Sequence, residues 1–349
     1  MVAPLRVALV GAGRLGRRYA RVLREATDAE LVAVVNRTPS RAEALAERDA
    51  RAFASLGAAL DAVEADAVVV ATADHVHRAP VLEALGRGLD VMVEKPLATT
   101  SGAAREMAAA AAGQGRIVKV NHSQRWVEDY RWIRARIEAG AIGRPRLAQH
   151  VRHDRIDVPT EMIPGWVEHT SPLFFMSSHD LDLVAWFLDA RPARVAGQEH
   201  VGVLLGRGFH VHDAVDAHVT YESGATATFH TSWIHPRSHP VIATDRFMIV
   251  GDDGSIAYDG RTRRAELHGA GGEEIVEFTG PHTADEVDGR LKGAFAASVG
   301  DFVRCVRERA EPATSAARML PLTDTQTGLL AAIEAGRTIA LDPRDWPGG

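Results

Sequence analysis

The chain has 349 residues, enough for two domains with their own cores, and its 46% hydrophobic and 25% charged content is ordinary for a soluble globular protein. A net charge of -6 leaves no electrostatic footprint for nucleic acid or an anionic membrane surface. No apolar run approaches the roughly 20 residues a membrane helix needs, and the single cysteine, Cys305, excludes an intrachain disulfide and fits a reducing compartment.

Met1–Pro4 leads into a strand-like run, Arg6–Val10, without the pattern of a signal peptide, so a cytoplasmic protein is expected. Further strands are predicted at Leu31–Val35, Ala67–Ala71, Leu89–Val93 and Ile117–Val120. Helical patterns separate them at Leu15–Glu25, Ser40–Glu47, His77–Arg87 and Ser101–Ala112. Valine-rich strands alternating with helices predict a parallel sheet covered on both faces. A domain boundary is expected near His122–Arg125, dividing the chain into residues 1–123 and 124–349.

After a helix at Val127–Ala139 the pattern changes. Asp213–Tyr221 and Ala225–Ile234 flank Glu222-Ser223-Gly224, a hairpin signal. Arg246–Val250, Ser255–Tyr258 and Arg264–His268 follow, joined by short turns. Helices are predicted at Asp180–Leu188, Phe295–Glu308 and Asp324–Gly336. The second domain therefore reads as α+β, with a large, mostly antiparallel open sheet. The whole chain is of the α/β class.

Gly11-Ala12-Gly13-Arg14-Leu15-Gly16 follows the first strand and opens the first helix. In that context the three glycines form a dinucleotide turn. Gly11 permits the tight bend, Gly13 lets backbone amides approach a pyrophosphate, and Gly16 lets helix and strand pack closely. The helix N-terminus favours the negative charge. At the end of the second strand, where an acidic residue ordinarily binds the ribose hydroxyls, stand Asn36 and Arg37. Without a carboxylate there, Arg37 is placed to pair with a 2′-phosphate, favouring NADP over NAD. The alternative is that Arg37 stacks on adenine and Asn36 serves the hydroxyls of NAD.

Of 40 basic residues only Lys95, Lys119 and Lys292 are lysines, so positions that keep lysine stand out. Lys95 lies in Glu94-Lys95-Pro96 at a strand's carboxyl end, the edge of a parallel sheet where ligands bind. Desolvation there lowers a lysine's pKa towards proton transfer. The second cluster is Ser178-His179-Asp180-Leu181-Asp182, where His179, Asp182 and Trp186 share one helical face and Asp182 is placed to orient the imidazole. Histidine pairs such as His210 with His212 have no third ligand at a zinc-like spacing, and no metal centre is expected.

The ordered set of motifs resembles the Gfo/Idh/MocA family, the glucose-fructose oxidoreductase and inositol dehydrogenase group. The markers are Gly11–Gly16, the Ala71-Thr72-Ala73-Asp74-His75-Val76-His77 segment, Glu94-Lys95-Pro96, Arg125-Trp126, Gly140–Pro145, and His179 with Asp182. The resemblance covers nearly the whole chain. It implies an N-terminal Rossmann domain, a C-terminal domain whose open sheet often forms an oligomer interface, and reversible hydride transfer at a secondary alcohol of a sugar, inositol or polyol. It assigns Lys95 to the reacting hydroxyl and His179 to acid/base catalysis. Thr72, His75, Glu94 and Lys95 fall on the nicotinamide side of the cofactor site, to which we add His77.

One departure stands out. Many members carry an aspartate four residues before that histidine, and here the position is Phe175. Arg125, Trp126, His153, Trp166 and His169 are the expected lining of a substrate pocket between the domains, and a homodimer or homotetramer is expected. Two other readings stand beside a dehydrogenase. One is a dinucleotide sensor without chemistry, and the other is a glycosidase that uses NAD in a transient oxidation.

Overall fold

The computed structural model describes residues 3–344 and 346, apart from 26–27 and 48–49. The chain divides into two compact units, one formed mainly by Met1–Trp126 with Pro281–Leu320, the other by Val127–Gly280 with Pro321–Asp345.

The first unit holds a six-stranded parallel sheet. Its strands are β1 (Leu5–Val10), β2 (Ala29–Val35), β3 (Arg51–Phe53), β4 (Ala67–Val70), β5 (Asp90–Glu94) and β6 (Val118–Asn121). They are ordered β3-β2-β1-β4-β5-β6, which is the dinucleotide-binding order. Helices α1 (Arg14–Glu25), α2 (Pro39–Glu43), α3 (Leu56–Ala62), α4 (Arg78–Gly86) and α5 (Ser101–Gly113) connect them. Side-chain caps start two of these. Ser55 Oγ accepts from Ala58 N–H, and Thr100 Oγ1 accepts from Ala103 N–H. The predicted helix Ser40–Glu47 is shorter than expected, because α2 gives way to a turn after Glu43.

Ten elements build most of the second unit: α6 (Glu128–Glu138), β7 (Pro145–Arg155), α7 (Pro172–Phe175), α8 (Ser177–Leu188), β8 (Pro192–His200), β9 (Ala214–Tyr221), β10 (Thr226–His235), β11 (Ala243–Gly251), β12 (Ser255–Asp259) and β13 (Arg264–Gly269). With β14 (Gly272–Glu277) the chain leaves this unit. The hairpin β15 (Asp285–Val287) and β16 (Arg290–Lys292) and helix α9 (Ala294–Glu308) belong to the first unit. Helix α10 (Leu320–Ala335) and β17 (Ile339–Ala340) then return to the second.

The large sheet has nine strands in the order β14-β13-β12-β11-β7-β10-β9-β8-β17. Only the β7–β10 pair is parallel. The predicted hairpin is present, with Gly224 at φ +83° in its turn.

The division at residue 123 needs correction. The expected second domain, 124–349, is interrupted, because 281–320 pack with the first unit. The reason is hydrophobic: Phe295, Val299, Phe302, Val303 and Val306 of α9 complete one core with Leu5, Val7, Leu9, Tyr19, Val22 and Leu23. Each such side chain stabilises by about 1.5–3 kcal/mol on burial, so the sheet face under α1 depends on α9. Among the described residues, no helix is long and apolar enough to cross a membrane.

Candidate functional site

The glycine turn joins β1 to α1 at the carboxyl edge of the parallel sheet, where β1 and β4 diverge in connectivity. Gly11 has φ +105°, and a Cβ there would stand 2.5 Å from the Ala71 carbonyl oxygen. A Cβ on Gly16 would stand 1.9 Å from the Gly11 carbonyl oxygen, which no side chain tolerates. Gly13 has nothing within 4 Å of its Cβ direction, so its space is open towards a ligand. Two glycines are thus fixed by protein packing and the third by the need for room. Ala12 is buried, Leu15 half-buried and Arg14 exposed on the same turn. These residues fit a dinucleotide pyrophosphate.

Asn36 braces this turn. Its Oδ1 accepts from Ala12 N–H at 3.2 Å, and its Nδ2 donates to the Thr38 carbonyl at 3.1 Å. Arg37 is exposed, and among the described residues it makes no hydrogen bond or ion pair. Thr38, Pro39, Ser40 and Arg41 beside it are exposed as well, and none of them is acidic.

Lys95 leaves the end of β5 at the same edge, partly exposed, between buried neighbours Glu94 and Pro96. The Lys95–Pro96 peptide is cis. Glu94 is held from below. Tyr19 Oη donates to its Oε1 at 2.6 Å, and Asn121 Nδ2 donates to the same oxygen at 2.9 Å. Ser298 Oγ, from α9, donates to Asn121 Oδ1 at 2.9 Å. The Lys95 N–H donates to Glu94 Oε2 at 3.2 Å. Burial pushes the Tyr19 phenol well above its ordinary value, with Glu94 adding to it, so it remains a donor.

His77, expected in the cofactor site, packs against the Lys95 turn. Its ring is buried, with Nδ1 2.9 Å from the Pro96 carbonyl oxygen and Nε2 3.3 Å from the Thr72 carbonyl oxygen. It ties the loop after β4 to the Lys95 turn. Burial lowers its pKa, so the ring is neutral near pH 7 and donates through one nitrogen. Thr72 is half-buried and His75 exposed on that loop.

Lys119, the second lysine, is structural. Its ammonium is buried against the Ser298 carbonyl at 2.6 Å and Asp301 Oδ2 at 2.7 Å, and stands 3.9 Å above the Trp126 ring. Burial pulls its pKa down to about 8. Trp126, expected to line a substrate pocket, therefore has one ring face covered by this cation. Arg125 beside it is half-buried.

In the second unit His179 is the third residue of α8, half-exposed, while Asp180 and Asp182 are buried. The helix is anchored to the sheet by a buried ion pair, Arg152 Nε to Asp180 Oδ1 at 2.5 Å. His150 Nε2 lies 3.6 Å from the same carboxylate, and its ring stacks on Phe247 at 5.6 Å. Neither nitrogen of His150 has a hydrogen-bond partner among the described residues. Burial, with the Arg152 charge adding to it, drives its pKa down to about 3. Nearby, Tyr130 Oη donates to Asp245 Oδ2 at 2.5 Å and Tyr258 Oη to Asp129 Oδ2 at 2.7 Å.

His153, expected to line the substrate pocket, lies on the other side of β7 from His150. Side chains alternate along β7, so His150, Arg152 and Asp154 face α8 while Val151 and His153 face the opposite way. There His153 lines an open hollow of about 320 Å³ with His200, Asp216 and His230. It does not share a pocket wall with His179. Trp166 packs on Phe175, ring centroids 5.9 Å apart, and His169 is exposed three residues further on.

Sequence reasoning missed Tyr19, Asn121, Ser298 and Arg152. Asn121 ends β6 at the carboxyl edge, and that position was the one available signal for it. The others are distant in sequence from what they hold.

This fold and glycine turn define a dinucleotide-binding oxidoreductase architecture. Residues 5–122 match the model of the oxidoreductase family with an NAD-binding Rossmann fold, and 130–257 match the GFO/IDH/MocA C-terminal domain. The chain belongs to this family.

It is 37% identical over 189 residues to an inositol 2-dehydrogenase of Acidothermus cellulolyticus, a match spanning 53% of this chain and 54% of that protein, about half the length of each. It is 30% identical over 258 residues to a 1,5-anhydro-D-fructose reductase of Ensifer adhaerens, covering 72% of this chain and 74% of the other. In fold it resembles an oxidoreductase from Agrobacterium radiobacter crystallised with NAD+, L-tartaric acid and magnesium, with a TM-score of 0.85 at 20% identity over 96% of this chain and 98% of that one.

Proposed function

We propose that the protein is a nicotinamide-dependent oxidoreductase that interconverts a secondary alcohol and a ketone on a sugar, inositol or related polyol. The observation that carries this reading is the shared sheet edge. The Gly11–Gly16 turn and the braced Lys95 turn open at the carboxyl ends of strands in one parallel sheet. The names of the relatives, an inositol dehydrogenase and a sugar reductase, point the same way.

A bound nicotinamide supplies the hydride acceptor or donor. The chain's own residues do the rest. The amides of the glycine turn and the start of α1 bind the pyrophosphate. Lys95 donates a hydrogen bond to the substrate oxygen and favours its partial negative charge. His179 takes the hydroxyl proton on oxidation and returns it on reduction, with Asp182 orienting the ring. Glu94 acts by holding the Lys95 backbone.

The preferred cofactor is NADP. Asn36 engages both ends of its carboxamide with the protein, which disfavours it as the reader of ribose hydroxyls. Arg37 remains, exposed and beside no carboxylate on residues 36–41. A charged hydrogen bond to a 2′-phosphate is worth about 1.5–3 kcal/mol.

The working form is a homo-oligomer, a dimer or tetramer, joined through the open face of the large sheet. That face carries Leu147 at 54% exposure and Met248 and Ile275 at 44% each. The lone cysteine, Cys305, is buried, in keeping with the reducing cytoplasm.

The test is a spectrophotometric screen of polyols and sugars with NADP and NAD. Turnover by the wild type that Lys95→Ala abolishes supports the reading. Absence of turnover across free and reduced substrates in both directions overturns it.

A further inference from the structure

From Thr170 to Val184 every side chain is buried except two, Phe175 and His179. They stand four residues apart, Phe175 at the end of α7 and His179 in the first turn of α8, with Met176 between the two helices. Of the two, His179 brings a polar group, its imidazole. The carboxylates that follow it, Asp180 and Asp182, are buried beneath.

Phe175 is not an isolated ring. Its centroid lies 5.9 Å from Trp166 and 6.0 Å from Trp233, both tilted to it. Ile163, Val167, Met176 and Leu204 pack into the same cluster, with Met162 and Phe209 at its margin. The cluster is fixed. Trp233 Nε1 donates to the His212 carbonyl at 2.7 Å. Asp213 accepts from the Val203 and Leu204 amides at 2.7 and 2.8 Å, which pins the loop that carries Leu204. On either side of buried Leu204, Val203 and Leu205 are exposed apolar residues.

A fully hydroxylated ring turned towards this wall loses hydrogen bonds to water and gains none from phenylalanine. An apolar substituent gains both burial and ring contacts. We propose that the substrate carries an alkyl or aryl group beside the carbon that reacts, as in a glycoside with an apolar aglycone, and that Phe175, backed by Trp166, selects it. The inference rests on the reading that His179 serves hydride transfer on a carbohydrate.

The experiment compares methyl and phenyl β-glycosides of the gluco, galacto and xylo series with myo-inositol, using the purified full-length protein. Initial rates are measured at saturating cofactor, and binding by calorimetry. In a series that is turned over, kcat/KM for the phenyl member should exceed the methyl member by at least roughly 10-fold, the low end of what a single methylene commands in a fitted pocket. Phe175→Asp should bring that ratio close to one, and Phe175→Leu should keep most of it.

A wild-type ratio near one overturns the apolar subsite and leaves hydride transfer standing. So does a Phe175→Asp variant, folded by circular dichroism, that keeps the wild-type ratio. If that variant does not fold, the wild-type ratio alone decides. Phenyl glycosides that bind tightly without turnover, and lose affinity in Phe175→Asp, support the subsite and count against hydride transfer. Absence of both binding and turnover for every phenyl glycoside overturns the inference.

Discussion

His150→Leu should make the protein less sensitive to acid. In the folded chain the imidazole is fully buried, stacked on Phe247, and held neutral down to about pH 3, whereas an ordinary histidine titrates at 6.5. Asp180 stands close by, but its charge is already paired with Arg152. Below pH 6.5 the unfolded chain binds a proton that the folded chain refuses. This contribution is therefore complete above pH 6.5 and lost progressively as pH falls towards 3. At about 1.4 kcal/mol per pH unit, the loss is about 2 kcal/mol at pH 5 and on the order of 5 kcal/mol at pH 3.

Leucine has similar bulk and no proton to take up. Because neither ring nitrogen is hydrogen-bonded among the described residues, the swap should cost less than about 1.5 kcal/mol at pH 7. Urea midpoints followed by tryptophan fluorescence at pH 7, 6 and 5 measure the difference. His77 is also held below its ordinary value by burial and adds its own loss to both proteins. The readout is therefore wild type against variant at each pH. If the two lose stability in parallel between pH 7 and 5, the reasoning fails.

Four other outcomes are expected. Lys95→Ala and His179→Ala should each fold and turn over at least about 100-fold more slowly, the low end for a positioned acid or base, and two variants with near-normal rates would remove the assignment. Arg37→Ala should weaken NADP binding by roughly 10- to 150-fold and leave NAD unchanged, as judged by calorimetry, and equal wild-type affinities for the two would show that Arg37 does not read a phosphate. Gly16→Ala places a Cβ 1.9 Å from the Gly11 carbonyl oxygen and should abolish the rise in melting temperature that cofactor gives. Met248→Asp, on the open sheet face, should release monomers, and light scattering that finds the wild type already monomeric at micromolar concentration would contradict the proposed assembly.

The parallel sheet was legible because its buried strands are short apolar runs rich in valine, and because the glycine turn sits between a strand and a helix. β7 was not legible. Its buried face carries His150, Arg152 and Asp154, so apolar residues do not mark the inward side. Three-residue β3 is too short to show a period. The placement of Lys95 and His179 at element ends followed from spacing, but what steadies them did not. Tyr19, Glu94, Asn121 and Ser298 meet from four separate stretches of chain, and pairing at such range leaves no local pattern. The surroundings of His77 and His153 were not legible for related reasons. One is drawn inward by two carbonyls, and the other is turned away by strand alternation.

The return of α9 to the first unit sets an order of events during synthesis. Residues 1–126 emerge from the ribosome long before Phe295 and Phe302 exist. At roughly 5–20 residues per second, the wait is on the order of ten seconds or more. Through that interval the sheet face under Tyr19, Val22 and Leu23 lacks its cover, and the Asn121 amide lacks Ser298. The dinucleotide turn is thus translated early and completed late. A nascent chain stalled before residue 294 would expose that face to chaperones or to other nascent chains, so the quality of the first unit is decided only once α9 has been made.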